Sequence, residues 1–400
     1  MAKEASWNDN IKAAAGSWGR ARTLFLAMAG IGLGLSAVGY FTDRNQFFHS
    51  YLTGYVFTLL LALGCLGFVL IQHLARAGWS VVIRRFAETA AVTLPVLAVL
   101  FLPVLLGLHE LFHWTHHDAV EHDPILQHKE GYLNVPFFLI RAGLYFAVWA
   151  LAAIYLYRKS VAQDTNPNPQ FTVVMQRRAA PLMILFAFSL TFMAFDWLMS
   201  LDPHWFSTIF GVYIFAGATL SAHAFLTLVS AALHKGGYLK STVTEEHFHD
   251  LGRFMFAFTV FWTYIAFSQF FLIWYGNLPE ETLWFLHRAE GSWKWYSLLL
   301  PIGRFALPFM LLMSRYTKRM PKFLVFMAGW ILVMQYVDIY WLVMPNLHKE
   351  GVHFHWLDLA CLVGTLGVFL TFFTRRLAGP ALVPAGDPRL KESLALKHAY

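Results

Sequence analysis

The chain has 400 residues, 58% of them hydrophobic, 17% aromatic and only 13% charged, so one water-soluble core cannot bury its apolar surface. It reads as an integral membrane protein. Lys and Arg number 30 against 23 Asp and Glu, a formal charge of +7 that in a soluble protein would point to nucleic acid. In a membrane protein it asks instead on which side the charges lie, and no nucleic-acid partner is expected. The two cysteines, Cys65 and Cys361, sit in apolar runs without CxxC or CxxCH context, which excludes a disulfide framework, a cysteine-ligated iron–sulfur cluster and c-type haem attachment. The polar N-terminus carries no cleavable signal pattern, so insertion through the chain's own helices is expected.

In chain order, a cytoplasmic N-terminal segment (1–22), an all-α membrane domain of ten helices (23–374) and a cytoplasmic tail (375–400) are expected. Stretches of about 20 apolar residues, enough to cross a bilayer, fall at 23–41, 51–72, 91–113, 135–157, 180–200, 206–232, 254–276, 294–314, 322–344 and 356–374. Segment 73–90, with Trp79, Arg84, Arg85 and Phe86, suits an interfacial position, 114–134 is rich in histidine, and Asn-Pro-Asn-Pro marks a loop at 166–169. The proline-containing tail is expected to be extended. Of the 30 Lys and Arg residues, 23 fall in one alternate set of loops and termini. The other set holds Arg44, Lys129, Arg288, Lys294 and Lys349, while Arg141 and Arg304 lie within spans. The positive-inside rule then places both termini in the cytoplasm.

Ionisable groups at mid-helix in hydrocarbon cost roughly 2.5–3.5 kcal/mol each, so those present need partners or a task. They are His109, Glu110, Arg141, Asp196, His223, Arg304, Asp338 and, near a span end, Asp358. Most fall in the outer half, where a polar layer is expected to pair Arg141 with Asp196 or Asp338 and to pass protons; the same pairs serve equally well as register-fixing ion pairs. Asp358 reads as a first-turn carboxylate. His223 reads as a packing histidine or a relay. Arg304 is the deepest charge and lies between Pro301 and Pro308, which withhold backbone donors from the carbonyls of Ser297 and Arg304. An interrupted eighth helix lining a pathway or site is predicted there. Spans two to five and six to nine each put an Arg on the third helix and an outer-half Asp on the fourth, a faint internal repeat.

His109-Glu110-Leu111-Phe112-His113 matches HExxH, in which two histidines one turn apart bind zinc while the Glu activates water. With six histidines between 109 and 128 the match is cheap, and no third protein ligand stands out. His109 and His223 lie at different depths, which argues against an intrinsic haem. Gly30, Gly32 and Gly34 with Ser36 give the small-residue spacing of close helix contact. Tryptophans at the outer ends of spans read as interface anchors.

The stretches YLNVPFFLIRAGLYF (132–146), FDWLMSLDPHWFSTIFGVYIFAG (195–217) and LGRFMFAFTVFWTYIAFSQFFLIWYGNLPEE (251–281) resemble the NrfD or polysulfide-reductase-like membrane subunits of alternative complex III. The likeness runs from span one to span ten and is closest to the smaller of the two such subunits. It implies ten helices around two four-helix bundles, 51–200 and 206–344, in a bacterial inner membrane. It implies no cofactor held covalently or by metal ligation, and a quinone, menaquinone or ubiquinone, as the small molecule. The implied partners are the larger NrfD-like subunit, iron–sulfur and c-type haem subunits on the outer side, a terminal oxidase, and lipid. Such a complex oxidises quinol and passes electrons towards a cytochrome c or a terminal oxidase, and the chain would contribute quinone binding, a proton path or a scaffold without being catalytic alone. Onto this sequence the resemblance carries Glu110, Arg141, Asp196, Asp202, Arg304 and Asp338 as a polar path, with His109 beside Glu110. His223, Arg304 and Tyr264 are the candidates for its inner half. A proton-coupled transporter, suggested by the interrupted span and the Arg and Asp residues, and a zinc hydrolase resting on HELFH are the alternatives.

Overall fold

The structure is a computed structural model that describes residues 18–398. Residues 1–17 and 399–400 of the expected terminal segments lie outside the described residues. Ten helical spans run Gly19–Thr42, Arg44–Leu74, Val81–Leu106, Val135–Thr165, Pro169–Leu201, Phe210–Lys235, Glu245–Gly276, Trp293–Met313, Pro321–Asn346 and Trp356–Leu377, each long and apolar enough to cross a bilayer. No strand occurs among the described residues, and the chain is an all-α multi-pass membrane protein. The spans correspond to the expected ones in number and order and are numbered in this order, but span three begins and ends earlier than the expected 91–113, which leaves His109 and Glu110 beyond its end. Short polar signals set their starts: Asn134 accepts from the Phe137 N–H at 2.9 Å with Pro136 in the first turn, and Asn168 caps Pro169–Trp197 in the same way.

Span two is the hub, almost wholly buried against spans three, five, six, nine and ten. Glycine permits that closeness. A Cβ on Gly54 would fall 2.8 Å from the Leu362 nitrogen of span ten, and one on Gly64 would strike the Ala218 carbonyl of span six. Span one lies at the edge and packs mainly on span ten. Of its small residues only one face is used: Gly32 meets the Gly364 backbone and Ser36 donates to Cys361 Sγ at 3.3 Å, whereas Gly30 and Gly34 face open space.

Span three corrects the reading of 73–90. Residues Val81–Ala91 form a buried first helix of that span rather than an interfacial segment, because their two arginines meet three carboxylates. Arg84 pairs with Glu88 at 3.0 Å and Asp387 at 2.5 Å; Arg85 pairs with Asp164 at 2.8 Å and Glu88 at 3.2 Å. Beyond Ala91, Pro95 and Pro103 start fresh short helices, and the tightened turns between them leave carbonyls that span two serves: Tyr51 donates to Leu100 O at 2.7 Å and Tyr55 to Leu97 O at 2.9 Å. The tail is likewise not simply extended. Asp387 anchors it under span three, Leu382, Val383 and Leu390 are buried, and Leu390–Leu394 is helical.

Contacts among the loops after spans two, four and six and the C-terminal tail define one face, here the termini face; Arg44 with Glu110, Lys129 with Pro203 O and Trp293 with His348 O close the far face. We expect Gly32→Val to lower stability by about 1–3 kcal/mol through overpacking, while Gly30→Val changes it little. Thermal unfolding of the purified variants in one detergent checks this, and equal melting of both would contradict the packing face described.

Candidate functional site

Two buried charge pairs stand in the far half of the bundle. Arg141 of span four grips Asp196 of span five at two points, Nε to Oδ2 at 2.8 Å and Nη2 to Oδ1 at 3.0 Å. Tyr145, one turn along, donates to Oδ2 at 2.6 Å. Arg141 also donates through Nη1 to Tyr132 O at 2.8 Å, and its guanidinium lies 3.9 Å from the Tyr132 ring centroid and 4.4 Å from that of Phe137. Of the two carboxylates the sequence allowed for Arg141, the fold selects Asp196.

Asp338 belongs to the second pair. Its Oδ2 lies 3.2 Å from Nη1 of Arg304, and its Oδ1 accepts from the Tyr213 hydroxyl of span six. Arg304 donates to Met334 O at 3.0 Å and Gln335 Oε1 at 2.6 Å, over the Trp262 ring at 4.2 Å. Gly217 leaves the room for this: a Cβ there would lie 2.9 Å from Gln335 Oε1 and 3.0 Å from Arg304 Nη2. The predicted interruption of span eight takes the form of a π-helical stretch, Leu300–Ala306, between Trp293–Leu299 and Leu307–Met313. The wider turn accommodates the prolines and carries Arg304 into the core, and Trp330 Nε1 takes the Gly303 carbonyl at 2.7 Å.

Beside this pair a cavity of about 760 Å³ opens between spans seven and eight and the short helix Pro279–His287. Its walls are mainly apolar, among them Phe270, Ile273, Leu300 and Trp341, and its polar lining includes Tyr213, Gln269 and Arg288 beside smaller groups such as Asn277 and Ser297. Tyr213, which donates to Asp338, and Trp262, which lies against Arg304, both line the cavity, so the cavity adjoins the ion pair through these two side chains.

Arg288 is the residue that sequence reading missed, having counted it only as an outer-loop charge. It is 2% exposed and meets no carboxylate at ion-pair distance among the described residues. Its guanidinium instead donates to Trp341 O at 3.2 Å, Trp284 O at 3.0 Å and Leu342 O at 3.1 Å, 3.6 Å from the Trp284 ring centroid. Burial pulls its pKa down to about 9 against the opposing charge of Asp202, which leaves it cationic at neutral pH. Nothing in the spacing marks Tyr213 or Gln269 either; Tyr145 at one turn from Arg141 was the one visible signal.

The remaining candidates are dispersed. Glu110 pairs with Arg44 at 2.6 Å and the His109 ring stacks on His116 at 3.8 Å. HELFH does not present two histidines on one helix face, because the helix Leu108–Leu111 ends after a single turn and His113 opens a 3-10 turn. Asp202 lies in the far-face loop, where its charge reaches both Lys129 and Arg288. His223 bonds Thr219 O at 2.8 Å through Nδ1 and is stacked between Phe254 and Phe258. Tyr264 points away from the bundle, 64% exposed, and so cannot continue an internal path. Asp358 accepts from His355 N at 2.9 Å, the first-turn role expected of it. A smaller cavity of about 280 Å³ adjoins the Arg141 pair, lined by Lys129, Tyr132 and Phe195.

Fold and site together define a multi-pass membrane protein with two buried interhelical Arg–Asp pairs in its far half, one of them beside an apolar cavity. Comparison with protein-family models and with curated proteins finds no match to this chain. We expect Arg304→Leu and Asp338→Leu each to cost about 3–5 kcal/mol by leaving its partner buried and unpaired, and the double variant to recover most of that loss. Unfolding of the single and double variants in detergent checks the coupling, and additive losses would contradict it.

Proposed function

We propose that the chain is a membrane subunit, free of redox cofactors, of a quinol oxidoreductase of the alternative complex III type, binding quinone in the 760 Å³ cavity and passing its protons to the Tyr213–Asp338–Arg304 cluster. The observation that carries the reading is the double role of Tyr213, at once cavity wall and donor to a buried carboxylate. Quinol oxidation releases two electrons and two protons, so a head group needs a hydrogen-bonding proton acceptor beside it while the electrons leave to a partner's centre. Arg288, a cation with no carboxylate at ion-pair distance among the described residues, suits the negative charge that develops on a quinol oxygen as its proton departs.

The neighbour pattern supports grouping spans two to five and six to nine as the two four-helix bundles of that family, with spans two and six meeting between them and spans one and ten outside. Each bundle then owns one far-half Arg–Asp pair. With the basic loops in the cytoplasm, both pairs and the cavity face the outer half. Support for an inner half-path comes from spans two and six, where His223 Nε2, Ser230 Oγ, Gln72 Oε1 and His73 Nε2 are buried without a hydrogen-bond partner among the described residues. Buried polar atoms of this kind are normally satisfied by water, which also conducts protons.

A short-chain quinone titrated into the purified chain is expected to quench tryptophan fluorescence saturably, since Trp262, Trp274 and Trp341 line the cavity. Arg288→Met is expected to weaken that binding by roughly tenfold, the loss of one charge-assisted hydrogen bond. Binding should also weaken as pH rises through about 9, where Arg288 loses its proton. No saturable quenching would sink the proposal, and solute uptake by vesicles holding this chain alone would support a proton-coupled transporter instead. In the assembled complex, Asp338→Asn is expected to lower the proton-to-electron ratio while Asp196→Asn, at a residue that does not line the cavity, leaves it unchanged. Measured proton release per electron decides between them, and the reverse pattern would move the path to the first bundle.

A further inference from the structure

On the termini face, away from the cavity, span seven opens with Glu245-Glu246-His247-Phe248-His249-Asp250. Glu246, His249 and Asp250 stand at i, i+3 and i+4 and share one helix face. The C-terminal tail brings His398 onto that face: its Nε2 lies 2.9 Å from Asp250 Oδ1 and 3.9 Å from Glu246 Oε2. His249 Nδ1 lies 3.9 Å from the same Asp250 oxygen, and the two imidazole centroids are 5.4 Å apart. One donor atom each from Glu246, His249 and His398 falls within 4.8 Å of the others.

We propose that Glu246, His249 and His398 bind a divalent transition metal, zinc in the first instance, with Asp250 as fourth donor, and that the ion pins the C-terminal tail to span seven. Two imidazoles with carboxylates are the ligand set of zinc and its neighbours, while calcium and magnesium favour all-oxygen sites. Four donors are the number a closed structural zinc site uses. The donors stand somewhat wider than zinc distances of about 2.0–2.2 Å require. Closing that gap asks only for side-chain rotation and a small shift of the tail.

Two arginines sit where outer-shell partners belong. Arg319 pairs with Glu246 Oε1, which turns Oε2 towards His398, and Arg253 Nη1 lies 3.3 Å from Asp250 Oδ1. Such contacts orient carboxylate ligands and hold them ionised for a metal. His249 is 5% exposed, so its imidazole is shielded from bulk water and presented to the cluster by the helix. The tail already docks through Asp387 on Arg84 and Ser393 on Trp79 O, and the metal would fasten its last described residue.

The test uses the full chain without a histidine affinity tag, purified in detergent, stripped with chelator, exposed to zinc sulfate and desalted. About one zinc per chain is expected by elemental mass spectrometry, falling at least about tenfold in the double variant His249→Ala, His398→Ala. Cobalt substitution should give the intense visible bands of a four-coordinate site in the native chain and lose them in the double variant. His398→Ala alone, a tail change that leaves the membrane core intact, should abolish the slowing by zinc of protease cleavage in the tail. Less than about a tenth of a zinc per natively melting chain, or equal zinc in the double variant held by other histidines, would overturn the proposal.

Discussion

A guanidinium inside a bilayer-spanning bundle leaves the helices that carry it little freedom. It must meet an acceptor at its own depth, and the acceptor's helix must hold that rotation and height. Arg141 with Asp196 ties span four to span five, and Arg304 with Asp338 ties span eight to span nine. The two pairs differ in where the third partner comes from. Tyr145 belongs to the same helix as Arg141, so the first cluster is closed on itself, whereas Tyr213 arrives from span six and makes the second a junction of three helices. That junction also forms part of the wall of the larger cavity, which Tyr213 and Trp262 line.

Backbone irregularity follows from the same demand. A regular helix through Pro301 and Pro308 would leave carbonyls unserved in hydrocarbon; the π-helical stretch and the Trp330 indole remove part of that cost and turn Arg304 inward. Span three meets its prolines differently, with short helical pieces whose freed carbonyls are taken by Tyr51 and Tyr55 of span two. In both cases the neighbour that repairs the break is fixed in place by having to do so. Span two, almost wholly buried, achieves its central position because Gly54 and Gly64 let two other backbones touch it.

The termini face obeys the constraint with more charges. Arg84 and Arg85 sit under Glu88, Asp164 and Asp387, which come from span three, the end of span four and the tail. Charge balance there makes the tail part of the fold, and it is what carries His398 to the first turn of span seven. The far face relies on single contacts between loops, Arg44 with Glu110 and His204 with Asp123 among them, and holds the buried Arg288 by three backbone carbonyls and the Trp284 ring.

Length, hydropathy and the placement of Lys and Arg determined the number of spans, their order and their alternation, because each is a local property that survives any choice of packing. The prolines around Arg304 and the first-turn position of Asp358 were legible for the same reason. Which carboxylate each arginine meets was not, since Tyr213 reaches Asp338 across 125 residues and Arg84 reaches Asp387 across 303. Segment 73–90 looked interfacial and Tyr264 internal because exposure depends on how a helix is rotated against its neighbours, which one strand of text does not record. The cavity, Arg288 as its buried cation, and the Glu246–His249–His398 cluster exist only where distant helices and the tail converge, and tertiary structure alone decided them.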